Sequence, residues 1–153
     1  MNGLADMAHI ERTAIVHAPI EKVYEFISHP ERNKEWIPDV MESERISEGP
    51  IGPGARFRFV TRAPLGLHVW SEAEITRMDP PRSLEFCSRR GLSHCGRWEL
   101  ESRDGSTVVR FRLQFQLRGV EAMALRAIGV HQFLERHVQE SIQGLKRALE
   151  NGA

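Results

Sequence analysis

Between Pro38 and Leu117 apolar residues recur at every second position, and from Gly119 to about Glu150 they recur every third or fourth. A chain with this switch of period has to build half-buried strands first and then lay one long amphipathic helix against them. The strands are separated by turn chemistry. They are expected at about 38 to 47, closed by Gly49-Pro50 and Gly52-Pro53-Gly54; at 55 to 62, closed by Ala63-Pro64-Leu65-Gly66; and at 67 to 78, closed by Asp79-Pro80-Pro81. Three more follow at 82 to 89, at 93 to 102, closed by Asp104-Gly105, and at 106 to 117. Connections this short make neighbouring strands antiparallel.

The last strand shows its two faces plainly, because Val109, Phe111, Leu113, Phe115 and Leu117 alternate with Arg110, Arg112, Gln114 and Gln116. The same alternation turns Phe57, Phe59 and Thr61 inward against Arg56, Arg58 and Arg62, and Trp98 and Leu100 inward against Arg97, Glu99 and Glu101. In the strand from 67 to 78, Val69, Ser71, Ala73 and Ile75 face inward, which puts Trp70 on the polar side. Small residues at those inward positions leave room over the sheet. The arginines of the outer face are expected to be solvated and balanced by Glu72, Glu74, Glu99 and Glu101.

Ahead of these strands, Ile10 to Val16 reads as a strand entering Ala18-Pro19, which makes seven in all. Pro19 suits a first helical turn, where its missing N–H costs nothing, and Val23, Tyr24, Phe26 and Ile27 form one apolar helical face. Pro30 stops that helix before a second short turn ending at Trp36. At the other end, a helix of about thirty residues would be about 45 Å long, enough to cross the sheet. Its expected stripe is Ala124, Ala127, Ile128, His131, Leu134, Val138, Ile142, Leu145 and Leu149. Gly129 and Gly144 weaken that helix by about 1 kcal/mol each relative to alanine, which points to close packing or a bend.

The chain has 153 residues, suited to one domain spanning 1–153, and carries 21 acidic and 21 basic residues, a balance unlike that of a basic nucleic-acid binder. The start, MNGLADMAHIER, has neither the basic lead nor the apolar run of a secretory signal, and no span has the roughly 20 apolar residues of a membrane helix. A cytoplasmic location is therefore the expectation. Cys87 and Cys95 are spaced to face one another across a hairpin, so a bridge is geometrically open; with no export signal, reduced half-buried thiols are expected.

The order of strand, two short helices, six antiparallel strands and a closing helix resembles the START-like superfamily of helix-grip proteins, also called SRPBCC, and within it the polyketide cyclase/dehydrase and lipid-transport group. The resemblance rests on the strand entering Ala18-Pro19 with Ile20 to Phe26; on His29-Pro30 and Glu35-Trp36-Ile37-Pro38; and on Gly52-Pro53-Gly54 leading into Phe57. Asp79-Pro80-Pro81-Arg82 and the terminal Leu145-Lys146-Arg147-Ala148-Leu149-Glu150 complete it, so it covers nearly the whole chain. It implies an α+β helix-grip fold: a curved, seven-stranded antiparallel sheet wrapped around a long C-terminal helix, with a cavity between them for a lipid, sterol, hormone, polyketide or aromatic compound. It implies a hydrophobic small molecule as the partner; the charge balance argues against nucleic acid, and no cofactor is expected from the motifs present.

The inward-facing Phe57, Phe59, Phe86, Trp98, Phe111, Phe115, Ile128 and Leu134 are the candidate lining of that cavity, with hydroxyls from Thr61, Ser71 and Ser88, the alternative being that these side chains simply fill the core. His131, in the middle of the helical stripe, is the candidate for ligand binding or proton transfer, the alternative being a core histidine. Glu42 would be its acid–base companion if it faces inward, but Val40, Glu42, Glu44 and Ile46 compete with Met41, Ser43 and Arg45 for that side. No HExxH motif, nucleophile elbow, phosphate loop or dinucleotide fingerprint occurs, and His137 projects away from the face of His131, so no metal is expected. Pro64, Leu65 and Gly66 in one turn, and Leu92 and His94 in another, are similar in position to the gate and latch loops of plant abscisic acid receptors. Three function classes follow: a carrier of a hydrophobic small molecule, a cyclase or dehydratase using His131, and a protein-interaction module.

Overall fold

The computed structural model describes residues 7–116, 123, 126 and 129–151. Strand β1 (Met7–Val16) leads into helix α1 (Ile20–Ile27) and a 3-10 turn (Pro30–Glu35). Strands β2 (Val40–Arg45), β3 (Arg56–Arg62), β4 (His68–Asp79), β5 (Ser83–Gly91), β6 (His94–Arg103) and β7 (Ser106–Gln116) follow, and helix α2 (Val130–Asn151) closes the chain. The strands form one antiparallel sheet in the order β1-β7-β6-β5-β4-β3-β2. Six consecutive hairpin partners thus run as a meander, and β1 joins its far edge by pairing with β7 from Met7 opposite Gln116 to Val16 opposite Thr107. This is the helix-grip fold, with two short helical segments after the first strand.

The inward sets read from alternation hold along most strands. Val109, Phe111, Leu113 and Phe115 are buried on β7, as are Trp98 and Leu100 on β6 and Ser71, Ala73 and Ile75 on β4. On the outer face Trp70 is exposed and lies beneath two guanidiniums, those of Arg58 at 5.2 Å and Arg90 at 5.9 Å from its ring centre. The surrounding arginines pair with glutamates: Arg58 with Glu72, Arg56 and Arg89 with Glu74, and Arg97 with Glu85 and Glu99.

Helix α1 buries Ile20, Val23, Tyr24 and Ile27, and the Tyr24 hydroxyl donates to the Ser83 carbonyl at 2.7 Å, fastening the helix to the start of β5. Helix α2 has 22 residues, about 33 Å at 1.5 Å per residue. Residues 123 and 126 are already helical, and Gly129, with a φ of 77° that a continuous helix does not permit, breaks the helical run just before Val130. Gly144 sits where α2 meets the 3-10 turn; a Cβ there would lie 2.0 Å from the Trp36 carbonyl oxygen. That glycine lets the helix come down onto Trp36.

Two expectations need correction. Cys87 and Cys95 are directly opposed on β5 and β6 and form a disulfide rather than two free thiols. Strand β2 does not alternate: a bulge between Val40 and Glu42 shifts its register, so that Val40 and Ser43 are buried while Glu42 is exposed. Among the described residues no helix is long and apolar enough to cross a membrane.

Candidate functional site

Because the sheet curves away from α2, the two surfaces enclose a cavity of about 110 Å³. Its floor comes from alternate residues of β3, β4, β5, β6 and β7, among them Phe57, Phe59, Thr61, Ser71, Phe86, Trp98 and Phe111. Trp98 and Phe111 stack nearly parallel with ring centres 4.0 Å apart, giving one flat aromatic wall. Gly96 makes room for another ring, since a Cβ there would meet the Phe86 ring at 2.2 Å. The roof is Phe133, Leu134, His137 and Ser141 of α2, and Trp36, Ile37 and Val40 close one side.

Into these apolar walls the structure brings two imidazoles. His137 is one turn beyond Phe133 and Leu134, and its Nδ1 lies 3.0 and 3.1 Å from the two carboxylate oxygens of Asp39. A carboxylate only accepts, so Nδ1 carries the hydrogen and Nε2 is left for the cavity. Asp39 is held in turn, because the Arg62 backbone N–H donates to its carbonyl at 2.7 Å. The second imidazole, His94, opens β6 just after the turn. Its Nδ1 is 2.8 Å from the Leu92 carbonyl oxygen, which likewise places the hydrogen on Nδ1 and leaves Nε2 as an acceptor.

Burial pushes the pKa of His94 down, positive charge on nearby His137 pushes it the same way, and only the Leu92 carbonyl opposes them. His94 is therefore a neutral base at physiological pH, packed edge-on against Phe86 at 6.0 Å. A neutral imidazole and a carboxylate-backed imidazole share one apolar chamber. Such a chamber accepts a hydrophobic molecule and offers hydrogen bonds or proton transfer at one end.

Of the residues anticipated from sequence, Phe57, Phe59, Thr61, Ser71, Phe86, Trp98, Phe111 and Leu134 line this cavity, as do Leu92 and His94. Others do not. His131 is exposed on α2, its ring 6.0 Å from Phe115, because the buried stripe runs through Val130, Leu134 and Val138 rather than through 131. Glu42 is turned outward by the β2 bulge. Phe115 is buried in the core away from the cavity lining. The Ser88 hydroxyl is engaged at the turn, accepting the His94 backbone N–H at 2.9 Å. Leu65 is 84% exposed at the tip of a 3-10 turn (Pro64–Gly66), and none of those three residues touches the cavity. Ile128 lies outside the described residues.

Sequence reasoning missed His137, Asp39 and Ser141. The signal was present in the helix: 130, 134, 137 and 141 follow one another at three and four, the spacing of a single face. Among the described residues no group of three or more His, Cys, Asp or Glu side chains is placed to hold a metal ion.

The family described as polyketide cyclase/dehydrase and lipid transport matches residues 7–150. No curated protein matches the sequence. Among solved structures, a protein of Thermus thermophilus superposes with a TM-score of 0.80 at 21% identity, over 95% of this chain and 99% of its own. The Zhui aromatase/cyclase of Streptomyces sp. R1128 gives 0.76 at 17% identity, over 93% of this chain and 95% of its own. A START superfamily protein of Mycobacterium smegmatis gives 0.75 at 13% identity, over 95% and 99%. At these identities the likeness is one of fold.

Proposed function

The chain belongs to the polyketide cyclase/dehydrase and lipid transport family of the START-like superfamily, and from that premise we propose that it binds a hydrophobic small molecule, an aromatic compound or the ring end of a larger polyketide or lipid, between the sheet and α2. The observation that carries this reading is the lining itself: a stacked Trp98–Phe111 wall opposite Phe133 and Leu134, with hydrogen-bonding groups gathered at His94 and His137. A well-packed core of this size has no use for such a chamber, since interiors otherwise fill to the density of organic crystals. Its volume, about 110 Å³, is of the order of the roughly 150 Å³ engineered cavity that takes up one benzene. A single ring is therefore the size of ligand that this volume matches.

The test uses 1-naphthol and dodecanoate as probes, followed through tryptophan fluorescence and the indole NMR signals of Trp36 and Trp98. Saturable binding of at least one is expected. Ala73, 2% exposed on the cavity floor, provides the control: Ala73→Leu fills the space and is expected to weaken binding at least tenfold. No saturation by either probe, or equal affinity in Ala73→Leu, would refute the proposal.

A further inference from the structure

Resting on the reading of this cavity as a ligand site, we propose that the Cys87–Cys95 bridge is a redox-sensitive clasp: oxidised, it holds the cavity mouth in its binding shape, and reduction by a dithiol loosens the mouth and releases the ligand. The observation that carries this is where the bridge sits in the sheet. Pairing of β5 with β6 runs from Ser83 opposite Glu99 only as far as Cys87 opposite Cys95. Beyond that rung the two strands fork: Ser88 and Gly91 pair with Ala73 and Ser71 of β4, while His94 pairs with Phe115 of β7. The turn is divided in the same way. Leu92 is held to the β4 side by its N–H on the Trp70 carbonyl, and Ser93 to the β7 side by its carbonyl on the Gln116 N–H. The disulfide, together with a hydrogen bond from the His94 backbone N–H to the Ser88 hydroxyl at 2.9 Å, spans the fork. The fork also opens onto the cavity, because Leu92 and His94 both line it.

The bridge is within reach of a reductant. Phe86 and His94 turn toward the cavity, so Cys87 and Cys95 lie on the outer face, where Cys95 is exposed and Cys87 half-buried. One thiolate of a dithiol attacks Cys95 Sγ; the S–S bond breaks, and Cys87 leaves as a thiolate and takes up a proton. The second thiolate of the dithiol then attacks its partner sulfur in the mixed disulfide, and Cys95 leaves and is protonated in turn. Two electrons and two protons pass to the protein, and the reductant departs as its own disulfide. With the clasp open, Leu92 stays with β4 and His94 with β7, so the wall they share is no longer fixed in advance of binding, and the ligand has to order it. Binding and reduction then act on one element, and their coupling is reciprocal: a ligand that favours the oxidised mouth makes the bridge harder to reduce by the same factor.

The experiment measures 1-naphthol binding to the oxidised protein, to the protein reduced with dithiothreitol, and to the double variant Cys87→Ser, Cys95→Ser, with amide exchange followed in the same samples. The oxidised protein is expected to bind at least tenfold more tightly than the other two, which should agree with each other. Faster amide exchange centred on residues 91–95, with β1 and α2 as protected as before, distinguishes opening of the fork from loss of the fold. In glutathione redox buffers, saturating 1-naphthol is expected to lower the midpoint potential of the bridge by about 30 mV for each factor of ten between the two affinities. The reduced unmodified protein carries the comparison by itself where the double variant does not fold. Equal affinity in the oxidised and reduced protein, or a bridge that dithiothreitol opens only when the protein unfolds, would overturn the clasp and leave the binding proposal standing. Protection lost across the whole sheet on reduction would overturn it too, by making the bridge a support of the fold alone. Failure of the oxidised protein to bind 1-naphthol would count against both.

Discussion

Gly144 sets two residue-scale effects of opposite sign against each other. Replacing it by alanine gains about 1 kcal/mol of helix propensity. The new Cβ, however, would lie 2.0 Å from the Trp36 carbonyl oxygen, a backbone atom that cannot rotate aside. Overpacking of that kind costs about 1–3 kcal/mol, so Gly144→Ala is expected to be destabilising by about 1 kcal/mol net, read as a lower urea midpoint at unchanged slope. A gain in stability would show that α2 does not rest on Trp36. Single residues also explain which parts of the site could be read in advance. Phe57, Phe59, Trp98 and Phe111 were legible because a strand's two faces are decided by parity alone. Periodicity places His131 on the buried face and His137 off it, the reverse of what the structure shows, since a helix stripe admits steps of three or four and both histidines fit some sequence of such steps through Leu134. Val130, buried at 2% exposure, settles the phase, and it does so only through contact with the sheet. The bond from Asp39 to His137 joins residues 98 apart and has no local signature at all.

Among the elements, the β5–β6 hairpin is the one whose mechanics bear most directly on the cavity. Its turn is tied down at several points: the Leu92 N–H donates to the Trp70 carbonyl, the Gln116 N–H to the Ser93 carbonyl, and Gly91 at φ 81° sits so close to Trp70 that a Cβ would come within 2.4 Å of its carbonyl oxygen. On the outer face the Cys87–Cys95 bridge clasps the two strands just behind Phe86 and His94. The bridge spans eight residues, and in the chain-entropy treatment a loop of that size contributes about 2.5 kcal/mol through the unfolded state. The double variant Cys87→Ser, Cys95→Ser is expected to lose about that much in urea unfolding, with amide exchange accelerated most over residues 91–95. Equal stability of the oxidised protein and the double variant would mean that the bridge does not form in solution. Elements were more legible than sites for a physical reason. Turn residues such as Gly52-Pro53-Gly54 and Asp104-Gly105 act locally, whereas the bulge that turns Glu42 outward is a property of the β2–β3 pairing and breaks the alternation by which parity is read.

The molecule as a whole has equal numbers of acidic and basic residues, so its response to pH depends on where particular charges sit rather than on net repulsion. Two kinds of group have pKa values lowered by folding. Burial, reinforced by His137, lowers His94 below its ordinary 6.5. Hydrogen bonding holds two carboxyls below 4.5, Glu74 chiefly through the Arg89 guanidinium and Glu150 chiefly through the His17 backbone N–H. In each case the unfolded chain takes up a proton more readily than the folded one, so stability rises with pH through the window between the two values. The contribution of His94 is complete above pH 6.5 and is lost as the solution falls below it toward the folded value. That of the carboxyls is complete above 4.5 and is lost as the pH falls lower. Acid unfolding should therefore proceed in two stages, the first belonging to the cavity and the second to the surface pairs. The groups facing His94 across the chamber are His137 and, behind it, Asp39. Urea unfolding from pH 8 to pH 3 is expected to show stability declining as the pH falls through 6.5 in the unmodified protein and little slope there in His94→Gln, with both declining below 4.5. A first stage that persists unchanged in His94→Gln would assign it to another histidine and remove the evidence that this imidazole is neutral in the folded state.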